Sequence, residues 1–61
     1  MNAQVYVKRR ENKLNQAEIA KLLSISRNAY SLKELGKSDF TETEMKRLAK
    51  YYGCTLDELF N

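Results

Sequence analysis

Histidine, proline and tryptophan are absent from this 61-residue chain, and cysteine and glycine are scarce. Without histidine, the sequence lacks the side chain that ordinarily serves acid–base catalysis near neutral pH and that most often binds metals. With two glycines, it also lacks a glycine-rich phosphate-binding loop. A chain of this length has little room for a closed pocket of several hundred Å³. We therefore expect neither catalysis nor a cofactor, a metal or a small-molecule ligand.

The single cysteine and the short apolar runs bear on where the chain resides. Cys54 has no second cysteine to pair with, so a reducing cytoplasm is the default expectation. Its thiol is expected to pack as a small hydrophobic group. No apolar run approaches the roughly 20 residues that span a membrane. Lys8, Arg9 and Arg10 precede any apolar segment, unlike a secretory signal. We expect a cytoplasmic protein without a membrane partner.

Charge is unevenly distributed along the chain, whose net charge is +3. Residues 1–37 hold eight basic and three acidic side chains, whereas residues 38–61 hold three basic and five acidic ones. A basic half is compatible with a polyanion such as nucleic acid. It is also compatible with a solvated surface that keeps the protein soluble, so charge alone leaves both interpretations open.

The spacing of apolar residues predicts an all-α protein. Apolar side chains recur at intervals of three and four, and the absence of proline suits continuous helices. The pattern predicts five helices, at about residues 3–12, 16–23, 27–35 and 42–52 and in a short segment after residue 55. Because only short loops remain, we expect a compact five-helix bundle that forms a single domain over residues 1–61.

Capping residues support these boundaries. A side-chain oxygen followed three residues later by glutamate indicates a capping box. The pattern occurs at Asn15–Glu18, Thr41–Glu44 and Thr55–Glu58. Ser26 is suited to begin a helix, and Gly36 and Gly53 are suited to end one.

Residues 15–36 have the pattern of two short helices joined by a tight turn. Ala20 is small enough to let the helices cross closely. Ser24 occupies the turn, where we expect a left-handed backbone, and Ile25 is expected to fill the core beneath it. Two helices joined by a turn of about 3–4 residues are typical of the helix-turn-helix of DNA-binding proteins.

The spacing of residues along each helix indicates which side chains share a face. Val5, Arg9 and Asn12 share one face of the first helix. Arg9 is either a solvated charge or one half of a partly buried ion pair with Glu34 of the third helix. In the later helices and turns the expected core residues are Leu14, Ile19, Ala20, Leu23, Ile25, Tyr30, Met45, Leu48, Ala49 and Tyr52, and the last short helix has Leu56, Leu59 and Phe60 as apolar residues.

The order of these residues resembles that of a known family. Residues 14–20 (LNQAEIA) are followed by Ile25-Ser26, Tyr30, Glu34 and Gly36-Lys37, and then by Leu48-Ala49, Gly53 and residues 55–60 (TLDELF). This ordered set resembles the Cro/phage-repressor (XRE-type) helix-turn-helix family. The resemblance implies a lambda-repressor-like domain that binds double-stranded operator DNA in the major groove, usually as a two-fold dimer on a pseudo-palindrome.

The resemblance also implies particular contacts by position. Base edges would be contacted by Arg27, Asn28, Ser31 and Leu32. Phosphates would be contacted by Asn15, Gln16, Ser26 and Lys37, and Arg9 and Glu34 would form a structural ion pair. Residue chemistry agrees with the base contacts, since arginine pairs with guanine, asparagine with adenine, and an apolar group with the thymine methyl.

Three positions, Ser24, Lys33 and Leu35, depart from the family's pattern, and the acidic Asp39 that follows repels phosphate. Ser24 replaces the usual turn glycine, which implies strain of about 1 kcal/mol. Lys33 stands where many members bury an aliphatic residue. Either its stem covers the core while its ammonium reaches water, or the end of the helix is rotated and Leu32 turns inward. Leu35 and Asp39 weaken contacts of the following loop with phosphate.

Two functions are compatible with these features. The first is a transcriptional repressor or regulator of phage or mobile-element type, dimerising weakly through the last two helices or the preceding loop. The second is a protein-binding antirepressor or antitoxin-like module on the same fold. Its binding patch would include Leu35, Tyr51, Tyr52 and Phe60.

Overall fold

The computed structural model describes residues 1–60, which contain five α-helices and no strand. The helices are α1 (Ala3–Glu11), α2 (Gln16–Leu22), α3 (Arg27–Leu35), α4 (Glu42–Tyr52) and α5 (Leu56–Phe60). The predicted all-α, five-helix fold is confirmed. Helices α1 and α2 each end one residue earlier than the sequence pattern indicated.

The three predicted capping boxes are present. At the start of α2, Asn15 Oδ1 accepts a hydrogen bond from the Glu18 N–H at 2.8 Å, and Glu18 Oε1 accepts one from the Asn15 N–H at 2.9 Å. The same reciprocal bonds begin α4 and α5. Ser26 Oγ accepts from the Ala29 N–H at 3.0 Å and so begins α3. These bonds satisfy amide groups that have no partner inside their helices.

Left-handed backbone ends three of the helices and forms one turn. Gly36 and Gly53 follow α3 and α4 with φ values of 85° and 69°. Two residues with side chains also adopt positive φ, namely Lys13 (56°) at the chain reversal after α1 and Ser24 (58°) in the turn between α2 and α3. A side chain in this conformation costs about 1–2 kcal/mol relative to glycine. The positive φ of Ser24 confirms the left-handed turn that was expected there.

One hydrophobic core lies between the helices. Its buried apolar residues are Val5, Ile19, Ala20, Leu23, Tyr30, Phe40, Leu48, Ala49 and Leu59. Leu14, Ile25, Met45, Tyr52 and Cys54 are half-buried and pack against it. The predicted core is thus largely confirmed. Asn12, predicted to share a face with Val5 and Arg9, instead follows the end of α1 and is exposed, and its amide donates a hydrogen bond to the Lys8 carbonyl at 2.8 Å.

Helices α2 and α3 form the helix-turn-helix. They pack closely on each other, while α1 lies against α3 and α5, and α5 against α4. Ala20 is only 2% exposed, as expected for a small residue where two helices cross. The Ile25 N–H donates to the Ala20 carbonyl at 3.0 Å, which closes the turn. This arrangement fixes where α3 lies on the surface.

Candidate nucleic-acid interface

Helix α3 has two sides with different surroundings. Tyr30 and Glu34, one turn apart, are buried with 0% and 3% exposure. The other candidate residues of α3 are more accessible: Asn28 and Leu32 on the opposite face and Arg27 in the first turn are exposed, and Ser31 is half-buried. We call these the inner and outer sides of α3. The inner side determines how the helix is held, and the outer side determines which side chains are accessible to a ligand.

The inner side is organised by a buried carboxylate. Arg9 donates two hydrogen bonds to Glu34, from Nε to Oε2 at 2.9 Å and from Nη2 to Oε1 at 3.0 Å. The Tyr30 hydroxyl donates to Glu34 Oε2 at 2.6 Å. Arg9 Nη1 donates to the Leu14 carbonyl at 2.9 Å. Because the pair is bidentate and the third guanidinium nitrogen also has a partner, its geometry compensates much of the cost of removing both charges from water.

Titration properties follow from this network. Burial alone would raise the pKa of Glu34, but hydrogen bonds from Arg9 and Tyr30 outweigh burial and hold that pKa below its usual range. The hydrogen bond to Glu34 raises the pKa of Arg9. Burial, followed by the hydrogen bond to Glu34, raises the pKa of Tyr30. Arg9 and Glu34 are therefore charged and Tyr30 is neutral near pH 7.

The same carboxylate reaches the start of α2. Gln16 Nε2 lies 3.4 Å from Glu34 Oε1 and donates a long hydrogen bond to it. Glu34 thus joins α1, through Arg9, and the first residue of α2 to the inner side of α3. Both helices of the helix-turn-helix are oriented by one buried charge.

The outer side has free polar groups. Among residues 1–60, the α3 side chains that form hydrogen bonds are Tyr30, Lys33 and Glu34. The guanidinium of Arg27 and the amide of Asn28 are therefore available to a ligand. Both lie in the first turn of α3, close to its N-terminus.

The surroundings of Lys33 distinguish between the two expectations for the end of α3. Its side chain is 13% exposed, and Nζ lies 2.5 Å from Glu44 Oε1. The stem is largely buried, in agreement with the first expectation, but the ammonium pairs with a carboxylate of α4 instead of reaching water. Leu32 is 40% exposed, so the alternative in which it turns inward is wrong. Burial alone would raise the pKa of Glu44, but hydrogen bonds from Lys33 and from the Thr41 N–H, together with the Lys33 charge, lower that pKa.

The remaining candidate residues lie at helix ends. Asn15 and Ser26 are the N-caps of α2 and α3, and Gln16 is half-buried at the start of α2. Lys37 is exposed just after α3, where its N–H donates to the Leu32 carbonyl at 2.9 Å. Asp39 is also exposed two residues later.

The residues of the alternative protein-binding patch do not share one setting. Tyr51 is 50% exposed and lies beside Leu22 in a shallow surface depression. Phe60 instead packs edge-on against Phe40, with ring centroids 5.5 Å apart. Leu35 is exposed at the end of α3. The described part of the chain therefore gives no observation that favours a single aromatic docking patch.

The family comparison agrees with this geometry. A family model described as helix-turn-helix matches residues 5–59. The chain belongs to the XRE/Cro-type helix-turn-helix family. As a member of it, this protein is a DNA-binding regulator of the XRE type. Searches of curated proteins and of solved structures found no match. Within residues 1–60, no helix is both long and apolar enough to cross a membrane.

Several contacts of this XRE-type domain were not predicted from the sequence. The i, i+4 spacing of Tyr30 and Glu34 was a signal for their hydrogen bond. The Lys33–Glu44 pair joins two helices and has no local signal. Asn2 was also missed, although its N–H and Nδ2 donate to the carbonyls of Glu34 and Lys33 at 2.9 and 2.8 Å. These bonds satisfy carbonyls in the last turn of α3.

Proposed function

We propose that this protein is a sequence-specific transcriptional regulator that reads operator DNA in the major groove with the outer side of α3. The observation that carries the proposal is the pair of free, exposed side chains of Arg27 and Asn28 at the start of a helix whose inner side is fixed. An arginine donates two hydrogen bonds to guanine O6 and N7, and an asparagine forms two with adenine N6 and N7. Ser31 and Leu32 continue the same side by one turn.

Contacts with phosphate position such a helix but carry little sequence information. We assign them to Asn15, Gln16, Ser26 and Lys37. The basic excess of residues 1–37 supports this assignment, since eight of the chain's 11 basic side chains lie there. Gln16 is of particular interest because Glu34 already orients its amide.

The family resemblance supports a repressor of Cro type from a phage or mobile element, acting as a weak homodimer on a palindromic operator. In such a complex the two recognition helices lie about 34 Å apart, one turn of the duplex. We assign the dimer contact to α4, α5 or the loop before α4. Binding to both half-sites would strengthen the weak dimer.

Selection of bound sites from a random duplex pool tests the proposal. We expect enrichment of a palindrome with half-site centres about 10 base pairs apart. The affinity for the selected site should fall steeply with salt, with a slope of log K against log salt near −0.9 for each phosphate contact. A complex insensitive to salt, or no binding to any duplex at low salt, would contradict the proposal. The second result would favour a protein partner.

A further inference from the structure

Helix α3 is held at two adjacent residues that face different neighbours. Glu34 is bound by Arg9 of α1, and Lys33 is bound by Glu44 of α4. Consecutive residues of a helix point about 100° apart. Two such attachments on different sides leave α3 little freedom to rotate about its axis. Together they determine the direction in which the outer side faces.

The attachment to α4 is itself rigid. Glu44 Oε1 accepts hydrogen bonds from Lys33 Nζ at 2.5 Å and from the Thr41 N–H at 2.9 Å. The Glu44 N–H donates in return to Thr41 Oγ1 at 3.1 Å. The carboxylate that binds Lys33 is thus also part of the capping box of α4, and both side chains of the pair are nearly buried, at 13% and 11% exposure. Lys33 is therefore not available as a free cation.

We propose that Lys33 is a positioning residue that, through Glu44, holds Leu32 outward to read the 5-methyl group of a thymine in the operator. This inference rests on the proposed function and extends it. Leu32 is 40% exposed one turn after Asn28, and a large apolar side chain gains by leaving water. Among the base edges of the major groove, the thymine methyl is the apolar group available to it.

Helix geometry places this thymine relative to the adenine read by Asn28. Four residues of helix rise about 6 Å, and successive base pairs are about 3.4 Å apart. The thymine methyl read by Leu32 therefore lies within about two base pairs of that adenine. The operator half-site is expected to contain both, with the methyl in the major groove.

Replacement of single thymines by deoxyuridine in the selected operator removes the methyl group and leaves base pairing intact. We expect one position in the half-site to weaken binding about fourfold, the equivalent of one buried methyl group. Leu32→Ala should bind the thymine and deoxyuridine operators equally. Leu35→Ala is the matched control, since Leu35 is also an exposed leucine of α3 (47%). It should keep the fourfold difference.

Two variants test the positioning role of Lys33. Lys33→Met keeps the buried stem and removes the charge, and Glu44→Gln keeps a residue that supports a capping box while removing the partner charge. Both should reduce the discrimination between thymine and deoxyuridine without changing the salt slope. Retained helicity and a cooperative unfolding transition establish that each variant is folded. If Lys33→Met does not fold, Glu44→Gln alone decides.

Three results would overturn the inference. A fall of about one in the magnitude of the salt slope for Lys33→Met would make Lys33 a phosphate contact instead. Full methyl discrimination in a folded Glu44→Gln variant would remove its positioning role. A selected operator without a deoxyuridine-sensitive thymine, or one whose sensitivity depends on Leu35, would remove the role of Leu32. Failure to select any site would instead overturn the proposed function, and this inference with it.

Discussion

The inner and outer sides of α3 differ in what their polar groups do. On the inner side, the carboxylate of Glu34 receives hydrogen bonds from Arg9, Tyr30 and Gln16. On the outer side, the polar groups of Arg27 and Asn28 have no partner within residues 1–60 and are exposed. One helix thus separates two tasks, since buried charges orient it and free polar groups remain for a ligand. Substitutions on the two sides should have different consequences.

Glu34→Gln should have the largest effect, on stability. Removing one member of a buried ion pair leaves the other charge uncompensated, which costs about 3–5 kcal/mol. Arg9 would remain buried with its guanidinium facing a neutral amide. Denaturant unfolding at pH 7 measures the loss. Glu42→Gln is the control, because the Glu42–Lys46 pair is exposed (75% and 62%) and exposed pairs contribute little to stability.

The pH dependence of the stability difference between wild type and Glu34→Gln identifies the cause of that difference. Because the pKa of Glu34 is lowered on folding, its ionised form stabilises the fold fully above its usual pKa near 4.5. That contribution is lost as the pH falls through the lowered value. The difference between wild type and Glu34→Gln should therefore shrink in acid. A loss below about 1 kcal/mol at pH 7, or one independent of pH, would show that the buried pair does not hold α3.

Arg27→Ala should have the opposite effects, with little change in stability and a clear loss of DNA binding. Because the side chain is exposed and free of partners in the fold, the free energy of unfolding should change by less than about 0.5 kcal/mol. Binding to the selected operator should weaken by about 1–3 kcal/mol, with relaxed specificity at one base pair. Competition with single-base-pair operator variants measures this. Arg47→Ala, another exposed arginine, is the control and should leave specificity unchanged. An equal loss on all sequences would make Arg27 a phosphate contact.

Local chemistry explains how much of the fold and of the candidate site was predictable from the sequence. Capping boxes and the spacing of core residues involve neighbours within one turn, so the sequence identified the helices and positions such as Tyr30. Helix α1 ends one residue before Asn12, earlier than predicted, because a periodic pattern does not show where a helix ends. The Lys33–Glu44 pair depends on how α3 and α4 pack. The sequence therefore left the orientation of Leu32 open until the tertiary structure was known. The contacts with DNA stay predictions.

Ser24→Gly should have the smallest effect and should affect neither side of α3. The residue has a φ of 58° in the turn between α2 and α3, a conformation that glycine adopts without steric cost. After allowance for the greater entropy of an unfolded glycine, stability should rise by up to about 1 kcal/mol, or about 4–8 °C in Tm for a domain this small.

The control for this substitution is Ser38→Gly, at a loop serine outside the positive-φ residues, which should give no gain. Operator affinity should stay the same in Ser24→Gly, because the Glu34 network and the Lys33–Glu44 pair would still hold α3. A gain in stability accompanied by a change in affinity would show otherwise. The strained turn, and not the two ion pairs, would then set the angle at which the outer side meets DNA.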